Sequence, residues 1–261
     1  MIVIKFGGHA MTDEHGAFAQ AIVEAVASGA TPVVVHGGGP QIGEALKSAG
    51  IESKFVGGFR VTTPEVFSVV EEVLASKVGP AIAQSLVSRG VDAVAISGKS
   101  TGTLVADPLQ RLVDGTPADL GLVGEVAEVN PKVIEELVAL GKVPVISPIA
   151  ASRDGEVGYN VNADLAAAAI AGALDAQWLI IMTDVEGIYR HWPDRKSLIS
   201  EIDATELAAL KSTFAEGMAP KVQACLDAIS AGAKAVRVID GTNPSALKSA
   251  LLGEGGTLVI A

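Results

Sequence analysis

Lys5 stands near the end of the apolar run "IVIKF", and Gly7 and Gly8 follow at once. A lysine at the tip of a buried strand delivers a point charge to an anion, and bare glycines let that anion approach the backbone. The stretch "VVVHGGGPQIGEAL" repeats the design, with Gly37, Gly38, Gly39 and Pro40 leading into a helical pattern. Pro40 suits the first helical turn, where its missing N–H is no loss. The unpaired amides of that turn face whatever lies beyond the strand end, and an anion is the natural occupant. Alone, such a lysine reads as a snorkelling surface residue and such a glycine run as a tight turn. Two loops of this kind on adjacent parallel strands point to a phosphate site.

Further candidates lie downstream. In "GYNVNAD", Asn160 and Asn162 alternate, so an extended segment sends both to one side. Asn162 suits an N-cap, and Asp164 falls in the first turn of an Ala-rich helix, where the dipole favours a carboxylate. The plain reading of that stretch is a capped helix. In "GMAPKVQACLDA", Lys221 follows Pro220 at a helix start. A cation is disfavoured there unless a bound polyphosphate shares the site. Cys225, one turn on, reads as a buried small apolar residue. The stretch "SGKSTGT" looks like the end of a nucleotide P-loop, but that motif needs a glycine where Ala93 stands. Lys99 then reads equally as a solvated loop residue or a neighbour of the substrate. The four histidines show no metal-ligand spacing, so no protein-held metal is expected.

These candidates must be positioned by a chain of 261 residues, enough for one large domain or two small lobes. The net charge of -11, with no Lys/Arg cluster, excludes nucleic acid and anionic membrane surfaces as expected partners. Cys225 is the single cysteine, which fits a reducing compartment. A strand-like run beginning at Ile2 and the lack of a span-length apolar stretch predict a soluble, cytoplasmic protein. Strand-like runs alternate with helical periodicity, which predicts an α/β fold: a mainly parallel open sheet sandwiched between helices. Two lobes are expected to share that sheet, with a boundary near Leu174. A long helix is predicted over 64–89, and the short strands over 102–129 are expected to form hairpins on the sheet edge.

Nine stretches in order, "KFGGHAM", "VVVHGGGPQI", "GFRVT", "DLGLVGEV", "VPVISPIA", "YNVNAD", "TDVEGIY", "GMAPKVQACLDA" and "VIDGTNP", resemble the amino acid kinase family. The likeness is greatest to its branch acting on N-acetyl-L-glutamate. The resemblance implies ATP- and Mg²⁺-dependent phosphorylation of the acceptor's γ-carboxylate, the second step of arginine biosynthesis. It implies that Lys5 and Lys221 contact the transferring phosphoryl group, that Asp164 holds both lysines, and that Gly8 and the Gly38–Gly39 amides stabilise its oxygens. Arg60 would clamp the acceptor's α-carboxylate, and Asn160 would bind the same substrate. Gly7, Thr183, Asp184, Gly187 and Tyr189 would line the nucleotide's path, with Mg²⁺ held by phosphates and water. The acceptor lobe would be 1–174 and the ATP lobe 175–261.

Three departures from the family pattern stand out. His9 replaces a usual Asn. Gly79-Pro80 replaces an Asn-Lys pair, and Pro80 should break or restart the long helix. The chain starts directly at the first strand, which favours a homodimer insensitive to arginine. Two other readings share the fold: a kinase for carrier-bound glutamate or α-aminoadipate, and a non-catalytic nucleotide or amino-acid sensor.

Overall fold

The computed structural model describes residues 1–8, 11, 16–214 and 218–261. His9, at which the family pattern is broken, lies outside the described residues. The first half of the chain runs β1 (Ile2–Phe6), α1 (Ala17–Ala27), β2 (Pro32–His36), α2 (Gly39–Ser48), β3 (Phe55–Val56), β4 (Phe59–Arg60), α3 (Pro64–Glu71), α4 (Gly79–Val87) and β5 (Ala93–Ser97). It continues with β6 (Leu104–Pro108), β7 (Val123–Val129), α5 (Lys132–Ala139), β8 (Val143–Ser147), β9 (Ile149–Ala151), β10 (Gly158–Val161) and α6 (Ala163–Ala173). The remainder is β11 (Trp178–Thr183), β12 (Glu201–Asp203), α7 (Ala204–Leu210), α8 (Ala219–Ser230), β13 (Ala235–Asp240), α9 (Ala246–Leu251) and β14 (Thr257–Ile260).

Among the described residues, eight strands form one sheet in the order β12-β14-β13-β11-β1-β2-β8-β5. The pairing is parallel except between β13 and β14. The expected α/β sandwich is therefore present. Its central strands are runs such as "PVVVH" and "WLIIMT", buried on both faces as parallel strands between helices must be. Along β1, Val3 packs with Val35, Ile181 and the alanines of α6, whereas Ile4 and Phe6 pack with α1, α3 and α4. Strand alternation thus sends Lys5 to the α6 face. No helix among the described residues is long and apolar enough to cross a membrane.

Two expectations are corrected. The strands over 102–129 do not lie on the edge of the main sheet. β6 and β7 pair antiparallel and close with β9 and β10 into a separate four-stranded barrel. The alternation of β7 and β10 has an apolar side that is covered by α6 and by the other barrel strands, so closure buries what an edge would expose. Second, of the two outcomes expected at Pro80, the helix predicted over 64–89 is not broken, but α winding does restart there, with Pro80 in the first turn of α4. Residues Glu72–Val78 widen into a π-helix that joins α3 to α4, and the Gly79 N–H reaches back five residues to the Leu74 carbonyl. In an α-helical turn the Pro80 ring would press on the carbonyl four residues earlier; the wider winding moves that group away.

Gly98 of the P-loop-like stretch is a packing glycine. A Cβ there would lie 2.6 Å from Leu104 Cδ1 and 2.7 Å from the Ile149 carbonyl oxygen. Gly43, inside α2, has open space around the same position. Gly98→Ala is expected to destabilise the fold by about 1–3 kcal/mol, and Gly43→Ala to stabilise it by about 0.5–1 kcal/mol. Urea midpoints of the two variants check both signs; an unchanged midpoint for Gly98→Ala would contradict the close packing.

Candidate functional site

At the carboxyl ends of β1, β2 and β10 and the start of α6 lies a cleft of about 210 Å³. Lys5, Gly8, the three glycines 37–39, Arg60, Asn160, Asn162 and Asp164 all line it. The volume is below the ~300–1,000 Å³ common for drug-sized ligands, which suits a small acid.

Asp164 is the centre of the cluster. Lys221 Nζ donates to its Oδ2 at 2.8 Å, and Lys5 Nζ lies 3.0 Å from its Oδ1. The Lys5 contact is an ion pair rather than a well-directed hydrogen bond, and the same ammonium also faces the Met182 carbonyl at 3.4 Å. Burial alone would raise the Asp164 carboxyl, but the Lys221 and Lys5 ammonium groups outweigh it and hold the group well below the ordinary carboxylate range. The lysines respond in opposite directions. Burial pushes Lys5 below the usual lysine value against the pull of Asp164, whereas Asp164 raises Lys221 against burial. Depth explains the difference: the Lys5 side chain is 7% exposed and that of Lys221 20%.

The local sequence explains how these groups reach one another. Asn162 caps α6, accepting from the Asp164 and Leu165 amides, so the capped-helix reading of that stretch is correct and also places Asp164 in the cleft. Lys221 lies in the first turn of α8, and its carboxylate partner offsets the unfavourable dipole. Gly7 leaves room for the Lys5 tip, because a Cβ there would stand 2.6 Å from Nζ. Gly8 adopts a left-handed φ of 65°, and a Cβ would meet the Asp184 carboxylate at 2.8 Å. Gly38 has extended φ; it is needed because a Cβ would collide with Leu74 Cδ2 at 2.4 Å.

Arg60 closes the opposite side of the cleft. It donates to the Gly39 carbonyl at 3.2 Å and to Ser53 Oγ, and its guanidinium lies 4.6 Å from the Phe55 ring centroid. It ends a hairpin whose turn, Gly57-Gly58, has positive φ at both residues, as a tight two-residue turn requires. Asn160 Nδ2 donates to Thr62 Oγ1 at 3.1 Å, which fixes its amide toward the cleft.

The remaining candidates are not in this cleft. Thr183 is buried at the end of β11, and Asp184 sits against Gly8. Gly187 packs on Thr257, and the Tyr189 hydroxyl donates to Glu186 at 2.6 Å. Lys99 pairs with Glu71 at 2.9 Å and faces the Phe67 ring, and it does not line the cleft. Sequence reading missed Phe55, Phe59 and Leu74, which line the cleft, and Ser53 and Thr62, which hold Arg60 and Asn160. The flanking of Arg60 by "KFVGGF" was an available signal for the two phenylalanines; Leu74 reads only as helix core.

The chain is 48% identical to an acetylglutamate kinase of Nocardia farcinica over 99% of this chain and 86% of that one. It is 49% identical to an acetylglutamate kinase of Mycolicibacterium vanbaalenii, over 92% of this chain and 83% of the relative. Among solved structures, a Streptococcus mutans protein superposes with a TM-score of 0.84 at 29% identity, covering 100% of this chain and 98% of the other. The carbamate kinase of Giardia lamblia bound to AMP-PNP has a TM-score of 0.73 at 22% identity, with 99% and 97% covered, a likeness of fold alone. A model of the amino acid kinase family matches residues 1–240, taking in both glycine loops, Asp164 and Lys221. With that span and relatives sharing nearly half its residues end to end, the chain belongs to the amino acid kinase family.

Proposed function

We propose that this chain transfers the γ-phosphoryl group of ATP to the γ-carboxylate of N-acetyl-L-glutamate, the reaction of an acetylglutamate kinase. The observation that carries the reading is its near end-to-end match to acetylglutamate kinases at 44–49% identity. The convergence of two lysines on Asp164 beside the glycine loops supports it.

The chemistry asks little of the protein beyond alignment and charge. A carboxylate is already deprotonated at neutral pH, so the acceptor needs no general base. Its oxygen attacks the γ-phosphorus, the bond to the β–γ bridging oxygen breaks, and ADP leaves with that electron pair. Arg60 and Asn160 hold the acceptor, the planar guanidinium matching its α-carboxylate. Gly8 and the Gly38–Gly39 amides receive the charge on the moving phosphoryl oxygens. Lys5 meets that group from the acceptor side and Lys221 from the nucleotide side, with Asp164 orienting both. The acceptor side is assigned to 1–174 and the nucleotide side to 175–261, where Thr183, Asp184, Gly187 and Tyr189 flank the nucleotide. Mg²⁺ fits as an ion carried by phosphate oxygens and water, since both Asp164 oxygens already face ammonium groups.

Hydroxylamine trapping of the acyl phosphate, with acetylglutamate, glutamate, aspartate, acetyl-aminoadipate and a carrier-bound acid as acceptors, tests the assignment. Turnover is expected with free acetylglutamate, and preference for the carrier-bound acid would refute it. Lys221→Ala should lower kcat by ~10²–10³ while acetylglutamate binding, followed by calorimetry, stays near wild type. Near-normal turnover in that variant would remove Lys221 from the mechanism. Arg60→Lys loses bidentate geometry and should raise the acetylglutamate KM about 10-fold or more, leaving the ATP KM unchanged.

The direction of the Lys5 shift adds a pH dependence. Its ammonium is lost on raising the pH before that of an ordinary lysine. The alkaline limb of kcat/KM, which reports the ligand-free enzyme, should therefore fall below about pH 10.4, the unperturbed lysine value. A limb at or above that value would show that Lys5 does not limit turnover.

A further inference from the structure

His36 ends β2 immediately before the three glycines and is fully buried. Strand alternation places it with Val34, on the face covered by α1, α3 and α4, opposite the face that holds Lys5. Its Nδ1 lies 2.8 Å from the Gly37 carbonyl oxygen. A carbonyl only accepts, so Nδ1 carries the proton and Nε2 is the bare nitrogen. In a trans peptide the C=O and the following N–H point in opposite directions. A Gly37 carbonyl held toward His36 therefore turns the Gly38 N–H to the other side, where Lys5 and Asp164 stand.

We propose that His36 is a positioning residue that locks the Gly37–Gly38 peptide plane, so that the Gly38 amide faces the phosphoryl group in transfer. The inference rests on the phosphoryl-transfer reading given above. Three features keep the ring in the required state. Burial lowers its pKa to about 4, the Gly37 carbonyl opposing the shift, so the ring is neutral at physiological pH. Gly79 leaves space for it, since a Cβ there would stand 2.9 Å from Nε2. Phe6 flanks it in register on β1 and Ser147 ends the strand on its other side, both buried. Among the described residues, His36 Nε2 and Ser147 Oγ have no hydrogen-bond partner. Only the Nδ1 edge of the ring is therefore engaged, and it is engaged with the glycine loop.

The two amide isosteres of histidine separate this role from a merely structural one. His36→Asn keeps an N–H donor at the position of Nδ1, whereas His36→Gln moves it to the Nε2 end. The Asn variant is expected to keep kcat within about threefold of wild type, and the Gln variant to lose on the order of 10²-fold with the acetylglutamate KM nearly unchanged. Hydrogen exchange of the segment 33–46 should be faster in the Gln variant and native-like in the Asn variant, a readout independent of the acceptor. Equal kcat in the two variants, or a loss confined to KM, would overturn the proposal. Nitrogen NMR of the wild-type imidazole tests it without substitution: a protonated Nδ1 and a bare Nε2 are expected, and the opposite tautomer overturns it even where a variant fails to fold. If acetylglutamate proves not to be the acceptor while the exchange difference persists, the acceptor assignment falls and the positioning role stands.

Discussion

One buried carboxylate between two ammonium groups sets the terms for everything around it. Neither lysine would be stable at its depth unpaired, because burial disfavours the charged form and an isolated ion in a low-dielectric interior is costly. Asp164 makes both tolerable, and the Asp184 carboxylate, which sits against Gly8, also attracts both lysines. Two ammonium and two carboxylate groups are thereby gathered beside the glycine loops of a chain whose net charge is -11. The low dielectric of the site sharpens each of these interactions. The depressed Asp164 pKa preserves the pairing: the carboxylate remains ionised, so the lysines remain held, far into acid.

An aspartate has a short reach, and small residues bring the backbones near enough for it. In α6, Ala166, Ala167, Ala168 and Ala171 are fully buried, and Gly172 sits so close to α8 that a Cβ would lie 2.3 Å from that of Ala231. Larger side chains along this seam would hold α6 away from α8 and β1 and separate Asp164 from both cations. The low aromatic and high alanine content is thus tied to the site as well as to the packing. Cys225 belongs to the same seam, fully buried in α8 one turn beyond Lys221.

The main sheet was legible because its strands are long β-branched runs that announce burial on both faces. The glycine loops were legible for a related reason, since three glycines after such a run are hard to explain by turn geometry alone. Lys221 drew notice through an electrostatic misfit at a helix start, and Asp164 resolves that misfit from 57 residues away. The pairing itself came from family resemblance, as nothing local specifies so distant a partner. The four-stranded barrel was misplaced because short strands rich in turn residues show that they pair, not with which sheet. Pro80 was legible in part: α winding restarts there, as one of the two expected outcomes, but the helix is not broken. The rule that proline ends a helix assumes α winding, and the chain changes winding instead.

That change of winding has consequences beyond accommodating a proline. The π segment contributes Leu74, whose Cδ2 occupies the space a side chain at Gly38 would need, and it ends at Gly79, which occupies the corresponding place above the His36 ring. The helix therefore touches the glycine loop twice, once at the residue before the glycines and once within them. Both contacts exclude a Cβ, one on the loop and one on the helix. An α-helical turn advances fewer residues per carbonyl bond, so restoring regular winding between Glu72 and Val78 would rotate Leu74 and Gly79 relative to one another. They could not then both remain in register with the loop. The Gly79-Pro80 departure and the geometry of the glycine loop are in this sense one structural choice: the proline is compatible with the helix only through a winding that also seats the helix on the loop.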